Sequence, residues 1–65
     1  MRILDIKPSA MAGQWVAKAE AGMAVLTKIT DDEWEVEFNF TDTPRIAYFP
    51  TRADALAAVA AEGDM

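Results

Sequence analysis

Residues 33–40 alternate between polar and apolar side chains without interruption. In a β-strand successive side chains point to opposite faces, so an alternating segment is typical of a strand in a half-buried sheet. The buried face would carry Trp34, Val36, Phe38 and Phe40, and the other face would carry Glu33, Glu35, Glu37 and Asn39. The segment therefore predicts a sheet with one apolar face and one acidic face.

The chain has 65 residues, with neither cysteine nor histidine. A single core in a chain of this size seldom supplies more than about 3–5 kcal/mol, and a disulfide, a metal or a second subunit often adds to it. Without cysteine and histidine, a disulfide and the common metal sites are not expected, and we predict no cofactor. The remaining source of extra stability is a partner subunit, which could be a second copy of the chain in a homodimer.

The net charge of −5 limits the classes of partner. Nucleic-acid-binding and membrane-surface proteins usually present basic patches, so we expect neither nucleic acid nor a membrane as the partner. No apolar run approaches the ~20 residues of a membrane span, and the N-terminal residues do not resemble a secretory signal. The expected location is the cytoplasm.

The pattern of elements predicts one α+β domain, a small antiparallel β-meander of three to four strands packed on one C-terminal helix. Residues 1–13 are expected to form a short strand (residues 2–6) and a loop. The meander covers residues 14–49, with strands at 14–19, 23–30, 33–40 and 45–49. The helix is expected at residues 51–62, with Thr51 as the N-cap, Asp54 in the first turn and Gly63 at the stop.

Turn chemistry predicts how the strands pair. A three-residue loop, Glu20 to Gly22, and a turn at Asp31–Asp32 both turn Met23, Val25 and Thr27 of the second strand towards the core. The same pairing places Lys28 opposite Glu35. The face of the strand at 45–49 stays open, because a slip of one residue exchanges the two faces.

Catalytic constellations are hard to find in this sequence. The one serine, Ser9, has no histidine to activate it, and there is no glycine-rich phosphate loop. The acidic cluster at residues 31–37 lacks the spacing of a calcium site, because consecutive strand residues diverge. We expect no catalytic residue and no metal site, and therefore no enzyme.

A patch of side chains remains on the predicted outer face of the sheet, and it has an apolar centre and a charged border. Such patches can mark protein contacts. The expected partner-binding residues are Val16, Leu26, Lys28, Glu33, Glu35, Glu37 and Tyr48. An alternative stays open, in which the N-terminal segment with Ile3, Leu4 and Ile6 folds over this face.

The segment from Arg45 to Ala55 resembles the end of the arm-type DNA-binding domain of tyrosine recombinases, where a last strand ends in Phe-x-Thr and a helix follows. Trp15, Ala17 and Lys18 are similar to the first strand of that family. The resemblance implies a DNA-binding sheet. The sequence departs from the family in the middle, because glutamates at residues 33, 35 and 37 replace basic sheet residues.

Two hypotheses for function follow. In the first, the chain is a small acidic, non-enzymatic protein–protein interaction module, such as an inhibitor or accessory subunit, whose acidic sheet face binds a basic surface. The alternative is an arm-type DNA-binding module. Its DNA contacts would come from Lys18, Lys28, Arg45 and Arg52, and its affinity would fall steeply with salt.

Overall fold

A computed structural model of the chain describes residue 3 and residues 5–63. It contains an open sheet of five strands in the order of the sequence, each antiparallel to the next, followed by one helix. The strands are β1 (Asp5–Pro8), β2 (Gln14–Ala19), β3 (Gly22–Thr30), β4 (Glu33–Asn39) and β5 (Arg45–Phe49), and the helix is α1 (Arg52–Gly63). The α+β class is confirmed, and the sheet is one strand larger than the predicted upper limit of four.

β1 is the additional strand of the sheet. It pairs with β2 along one edge, with Asp5 opposite Lys18 and Pro8 opposite Trp15. The predicted strand at residues 2–6 begins three residues and ends two residues too early, and its residues 2 and 4 are outside the described residues. Proline is tolerated in β1 because an edge strand needs only half of its backbone groups for pairing.

The helix begins as predicted. The backbone amide of Asp54 donates a hydrogen bond to Oγ1 of Thr51 at 3.1 Å, which is the N-cap contact. The helix extends one residue further than expected, to Gly63, whose carbonyl accepts a hydrogen bond from the Ala21 amide at 3.2 Å. The β2–β3 turn therefore satisfies one carbonyl at the C-terminus of α1.

The core lies between α1 and one face of the sheet, which we call the inner face. Its buried side chains come from three strands and the helix, and the largest ones that are fully buried are Leu26, Val36 and Val59. Ala17 and Ala19 of β2 are also buried. The helix lies very close to β2 at Gly63, where an added Cβ would lie 2.5 Å from the Ala19 Cβ.

The predicted face of β3 is wrong. Ala24 and Leu26 face the core, whereas Met23, Val25 and Thr27 lie on the opposite side, which we call the outer face. Two differences in register, one on each side of β3, produce this reversal.

The first difference is a β-bulge between β3 and β4. The turn lies at Asp31–Asp32 as expected, and Thr30 pairs with Glu33. The next pair is Lys28 with Trp34, so Ile29 is an extra residue without an opposite partner. A bulge shifts the register by one residue, and such a shift exchanges the two faces of the strand.

The second difference is the turn between β2 and β3. Ala19 pairs with Gly22, so Glu20 and Ala21 form a two-residue turn instead of the predicted three-residue loop. Gly22 has a φ of 149°, and an added Cβ would lie 2.6 Å from the Asn39 carbonyl oxygen. Glycine is thus required here by backbone proximity, and not by the longer loop that we predicted.

Candidate interaction surface

The outer face of the sheet is the surface on which the predicted contact residues were expected. β1 extends the sheet sideways and does not fold over this face, and Ile6 and Ile3 instead pack against the core cluster. The proposed covering by the N-terminal segment is therefore wrong for Ile3 and Ile6. Leu4 lies outside the described residues.

Five of the seven predicted contact residues are on the outer face. They are Val16, Glu33, Glu35, Glu37 and Tyr48. Alternation places the three glutamates together on one side of β4, because each is two residues from the next. Tyr48 of β5 lies directly opposite Glu35.

The other two predicted residues do not belong to this surface. Leu26 is a core residue with 0% exposure, because the bulge turns it towards α1. Lys28 lies opposite Trp34 and not opposite Glu35, and its Nζ is 3.2 Å from Oδ1 of Asp31 at the hairpin tip. Both corrections follow from the same change of register in β3.

Three apolar residues on the outer face were not among the predicted contact residues, namely Met23, Val25 and Ile46. Met23 is 51% exposed and Ile46 is 54% exposed, and the predicted residue Tyr48 is 58% exposed. Ile46 is two residues from Tyr48 in β5, so the prediction of Tyr48 as a contact residue implied the same face for Ile46. Met23 and Val25 could not be found without the bulge.

The pairing of the strands sets the order of side chains across the outer face. One row runs from Lys7 through Val16, Val25 and Glu37 to Ile46. The surface therefore has cations on β1 and β2, a small apolar centre, carboxylates on β4, and apolar side chains on β5. The side chains of this row come from all five strands, which is why the arrangement depends on register.

Tyr48 and Glu35 make a polar contact within this surface. The Tyr48 hydroxyl donates a hydrogen bond to Oε2 of Glu35 at 3.2 Å. This hydrogen bond, together with the negative charge of the carboxylate, raises the pKa of the Tyr48 hydroxyl above its usual value. The contact orients the aromatic ring next to the acidic strand.

The four basic residues of the DNA-binding alternative do not share one face. Lys18 is on the outer face, opposite Met23, and Lys28 is on the inner side. Arg45 forms an ion pair with Glu62 of α1, and its guanidinium lies 4.5 Å from the centre of the Phe38 ring.

The remaining basic residue of that group, Arg52, begins α1, and its guanidinium lies 5.5 Å from the centre of the Trp15 ring. Arg45 and Arg52 therefore pack at opposite ends of the helix–sheet layer. A DNA-binding sheet normally brings its cations together on one surface, where they can neutralise adjacent phosphates.

Residues 3 and 5–63 form no detectable pocket, and they contain no group of three or more acidic, cysteine or histidine side chains that could hold a metal ion. α1 is too short to cross a membrane, and no other helix is present in the described part of the chain.

Comparison with protein-family models, with curated proteins and with solved structures found no match.

Proposed function

We propose that the chain is a non-enzymatic protein-interaction module whose outer sheet face binds a protein with a basic surface. The observation that carries the proposal is the outer face, which none of the described residues covers and on which Met23, Ile46 and Tyr48 are each about half exposed beside three glutamates. Apolar side chains with a charged border are typical of protein contacts.

The charge of the surface supports a basic partner. The carboxylates of Glu33, Glu35 and Glu37 project from one strand, and Asp32 adds a further carboxylate at the hairpin tip, where Asp31 is paired with Lys28. The net charge of the chain is −5, so the long-range field has the same sign as the local one. Complementary charge speeds association and selects the partner, while the apolar residues supply contact area.

The proposal keeps the acidic face of the sequence prediction and changes its apolar centre. Leu26 and Lys28 no longer belong to the surface, and Met23, Val25 and Ile46 take their place. No observation on the four cations favours the arm-type alternative, so the acidic-face hypothesis is the one that we develop.

The experiment compares two double variants with equal loss of charge. Glu35→Gln with Glu37→Gln removes two carboxylates from the outer face. Asp42→Asn with Asp54→Asn removes two from the β4–β5 loop and from the first turn of α1. Immobilised wild-type protein first captures its partner from a nuclease-treated lysate of its native source, and the partner is then purified.

Binding of the purified partner to each variant is measured over a range of salt concentrations. We expect the Glu35/Glu37 variant to bind at least about tenfold more weakly and with a flatter salt dependence, since it loses two charge-assisted contacts. The Asp42/Asp54 variant should bind like the wild type. Equal affinities for all three proteins would refute the proposal. It would also be refuted by a partner that the protein captures from an untreated lysate but not from the nuclease-treated one.

A further inference from the structure

The two edges of the open sheet are formed by β1 and β5, and they differ in character. An edge strand presents unpaired N–H and C=O groups, and proteins commonly protect such edges with charge, proline or short strands. β1 has all three features, because it has four residues, an Asp5–Lys7 ion pair at 3.5 Å, and Pro8. β5 has the sequence RIAYF, and its single charge, on Arg45, is engaged by Glu62.

The hydrogen bonds of β3 show which backbone groups point in which direction. The Lys28 amide donates to the Gly13 carbonyl at 2.8 Å, on the β2 side. Backbone groups alternate in direction along an antiparallel strand, so those of Val25 point the other way, to β4. Val25 pairs with Glu37, and the backbone groups of Glu37 therefore point back to β3.

The same alternation continues to the open edge. Because the Glu37 backbone faces β3, that of Val36 faces β5, where its partner is Ala47. The backbone of Ala47 is therefore bonded within the sheet, and the N–H and C=O groups of Ile46 and Tyr48 point out of it. Within residues 5–63, the backbone hydrogen bonds of β5 go to β4 alone.

On the opposite edge, the alternation leaves fewer donors. The Ser9 amide donates to the Gln14 carbonyl at 2.8 Å, so Ile6 and Pro8 are the residues of β1 whose backbone faces outward. Proline has no N–H, and Ile6 is thus the single outward donor of the described strand. The contrast identifies β5 as the edge that is suited to pairing.

We propose that β5 pairs with β5 of a second copy of this chain, antiparallel and centred on Ala47. In this register Ile46 lies opposite Tyr48 of the second copy, and Tyr48 lies opposite Ile46. Each of these residues has a free N–H and a free C=O, so the two strands can form four hydrogen bonds. The arrangement is isologous, because the same strand supplies both halves of the contact.

The side chains of β5 are compatible with this pairing on both faces of the sheet. On the outer face, the aliphatic Ile46 packs beside the aromatic Tyr48, a favourable cross-strand combination. On the inner face, the small Ala47 lies at the two-fold axis and leaves room between the two helices. Arg45 lies opposite Phe49, so no like charges oppose each other.

Prolines limit the contact to this one segment. Pro44 precedes β5 and Pro50 follows it, and neither can donate a backbone hydrogen bond. A partner strand can therefore extend the sheet by about five residues and no further. The pairing leaves both outer faces free and joins them into one surface, so the inference goes beyond the proposed function and does not depend on it.

The oligomeric state of the wild-type chain is the first test. Sedimentation equilibrium from about 1 µM to about 1 mM covers the range in which small, transient interfaces dissociate. We expect the mass to rise from 7.1 kDa towards twice that value. A mass that stays monomeric over the whole range would overturn the proposal.

Two variants with equal added charge locate the interface. Ile46→Lys with Tyr48→Lys places lysine opposite lysine in the proposed register and should shift dimerisation at least tenfold to higher concentration. Met23→Lys with Thr27→Lys adds the same charge to the outer face of β3 and should leave the dimer unchanged. Thermal denaturation confirms that both variants are folded, and an equal effect of the two pairs would refute the pairing of β5.

A cysteine at the two-fold axis tests the register, because the chain has no native cysteine. In the proposed dimer the two Ala47 residues form a non-hydrogen-bonded pair with Cα atoms about 4.5 Å apart, within the range of a disulfide. Ala47→Cys should therefore form a covalent dimer on mild oxidation. Ile46→Cys is the control, since its two copies are diagonal neighbours about 7–8 Å apart.

We expect oxidation to cross-link the Ala47→Cys protein roughly ten times faster than the Ile46→Cys protein, because the distance between the cysteines decides disulfide formation. Equal rates would show that β5 does not pair in this register, even if the chain forms a dimer. Non-reducing gels measure both rates. This test does not use the lysine variants, so it does not depend on their stability.

Discussion

Replacing Leu26 by alanine should nearly unfold this protein, whereas the same replacement at Val25 should have a small effect. The two residues are adjacent in β3 and point to opposite faces of the sheet. Leu26 is fully buried between the sheet and α1, and Val25 is half-buried on the outer face. The pair therefore tests the assignment of faces directly.

The magnitude follows from the burial of each side chain. Truncating a fully buried leucine to alanine costs about 2–5 kcal/mol, because the burial of three carbons is lost and a cavity forms. Truncating Val25 removes two methyl groups that are half-buried, which costs about 1 kcal/mol at about 0.8 kcal/mol per fully buried group. A chain of this size has about 3–5 kcal/mol of stability, so only the Leu26 variant approaches the unfolding midpoint without denaturant.

Urea denaturation, followed by tryptophan fluorescence, measures both free energies of unfolding. Trp34 is buried in the core and Trp15 packs against it, with 5.4 Å between the ring centres, so the signal reports on packing between sheet and helix. If Val25→Ala lowers the free energy of unfolding more than Leu26→Ala does, the register of β3 is refuted. The assignment of residues to the outer face is then refuted as well.

Three further predictions concern the bulge, the helix contact and the tyrosine. Deleting Ile29 removes the bulge and leaves the flanking pairs in one regular ladder. We therefore expect thermal denaturation to show that the free energy of unfolding falls by no more than about 1 kcal/mol. Gly63→Ala places a Cβ 2.5 Å from that of Ala19 and should cost about 1–3 kcal/mol, part of which Ala19→Gly in the same chain should restore. Glu35→Gln should lower the pKa of Tyr48 towards its usual value, which an absorbance titration of the single tyrosine can follow.

Each of these predictions has its own control. Deletion of Glu35 is the control for the bulge, since β4 has no extra residue to absorb the loss, and we expect that variant to be unfolded. For the helix contact, a double variant no more stable than Gly63→Ala alone would contradict the close approach. Glu20→Gln, in the turn between β2 and β3, should leave the tyrosine titration unchanged.

Much of the fold could be predicted because several signals agreed. The alternation at residues 33–40 defines β4 and its buried face, and the bounds of β2 and β5 match the predicted segments. The capping pattern of Thr51 and Asp54 defines the start of the helix. These signals are local, because each depends on the conformational preferences of a few adjacent residues.

The register of β3 could not be predicted in the same way. Its residues are apolar on both faces, with Met23 and Val25 on one and Ala24 and Leu26 on the other, so the pattern alone leaves both orientations open. The two predicted turns agreed on one face of β3, but the bulge at Ile29 and the two-residue turn at Glu20–Ala21 each shift the register by one residue. Their agreement therefore carried no information about the correct face.

The amino-acid sequence by itself determined the class of fold, the segments that form strands and helix, and an acidic strand with one apolar side. Tertiary structure decided which side of β3 is buried, and thereby moved Leu26 into the core and Met23 and Val25 to the surface. The physical reason is that a sheet has a side-chain period of two, so one bulged residue at Ile29 reverses a whole strand. Local preferences act on single residues, whereas a register is set by the packing of the helix and the strands together.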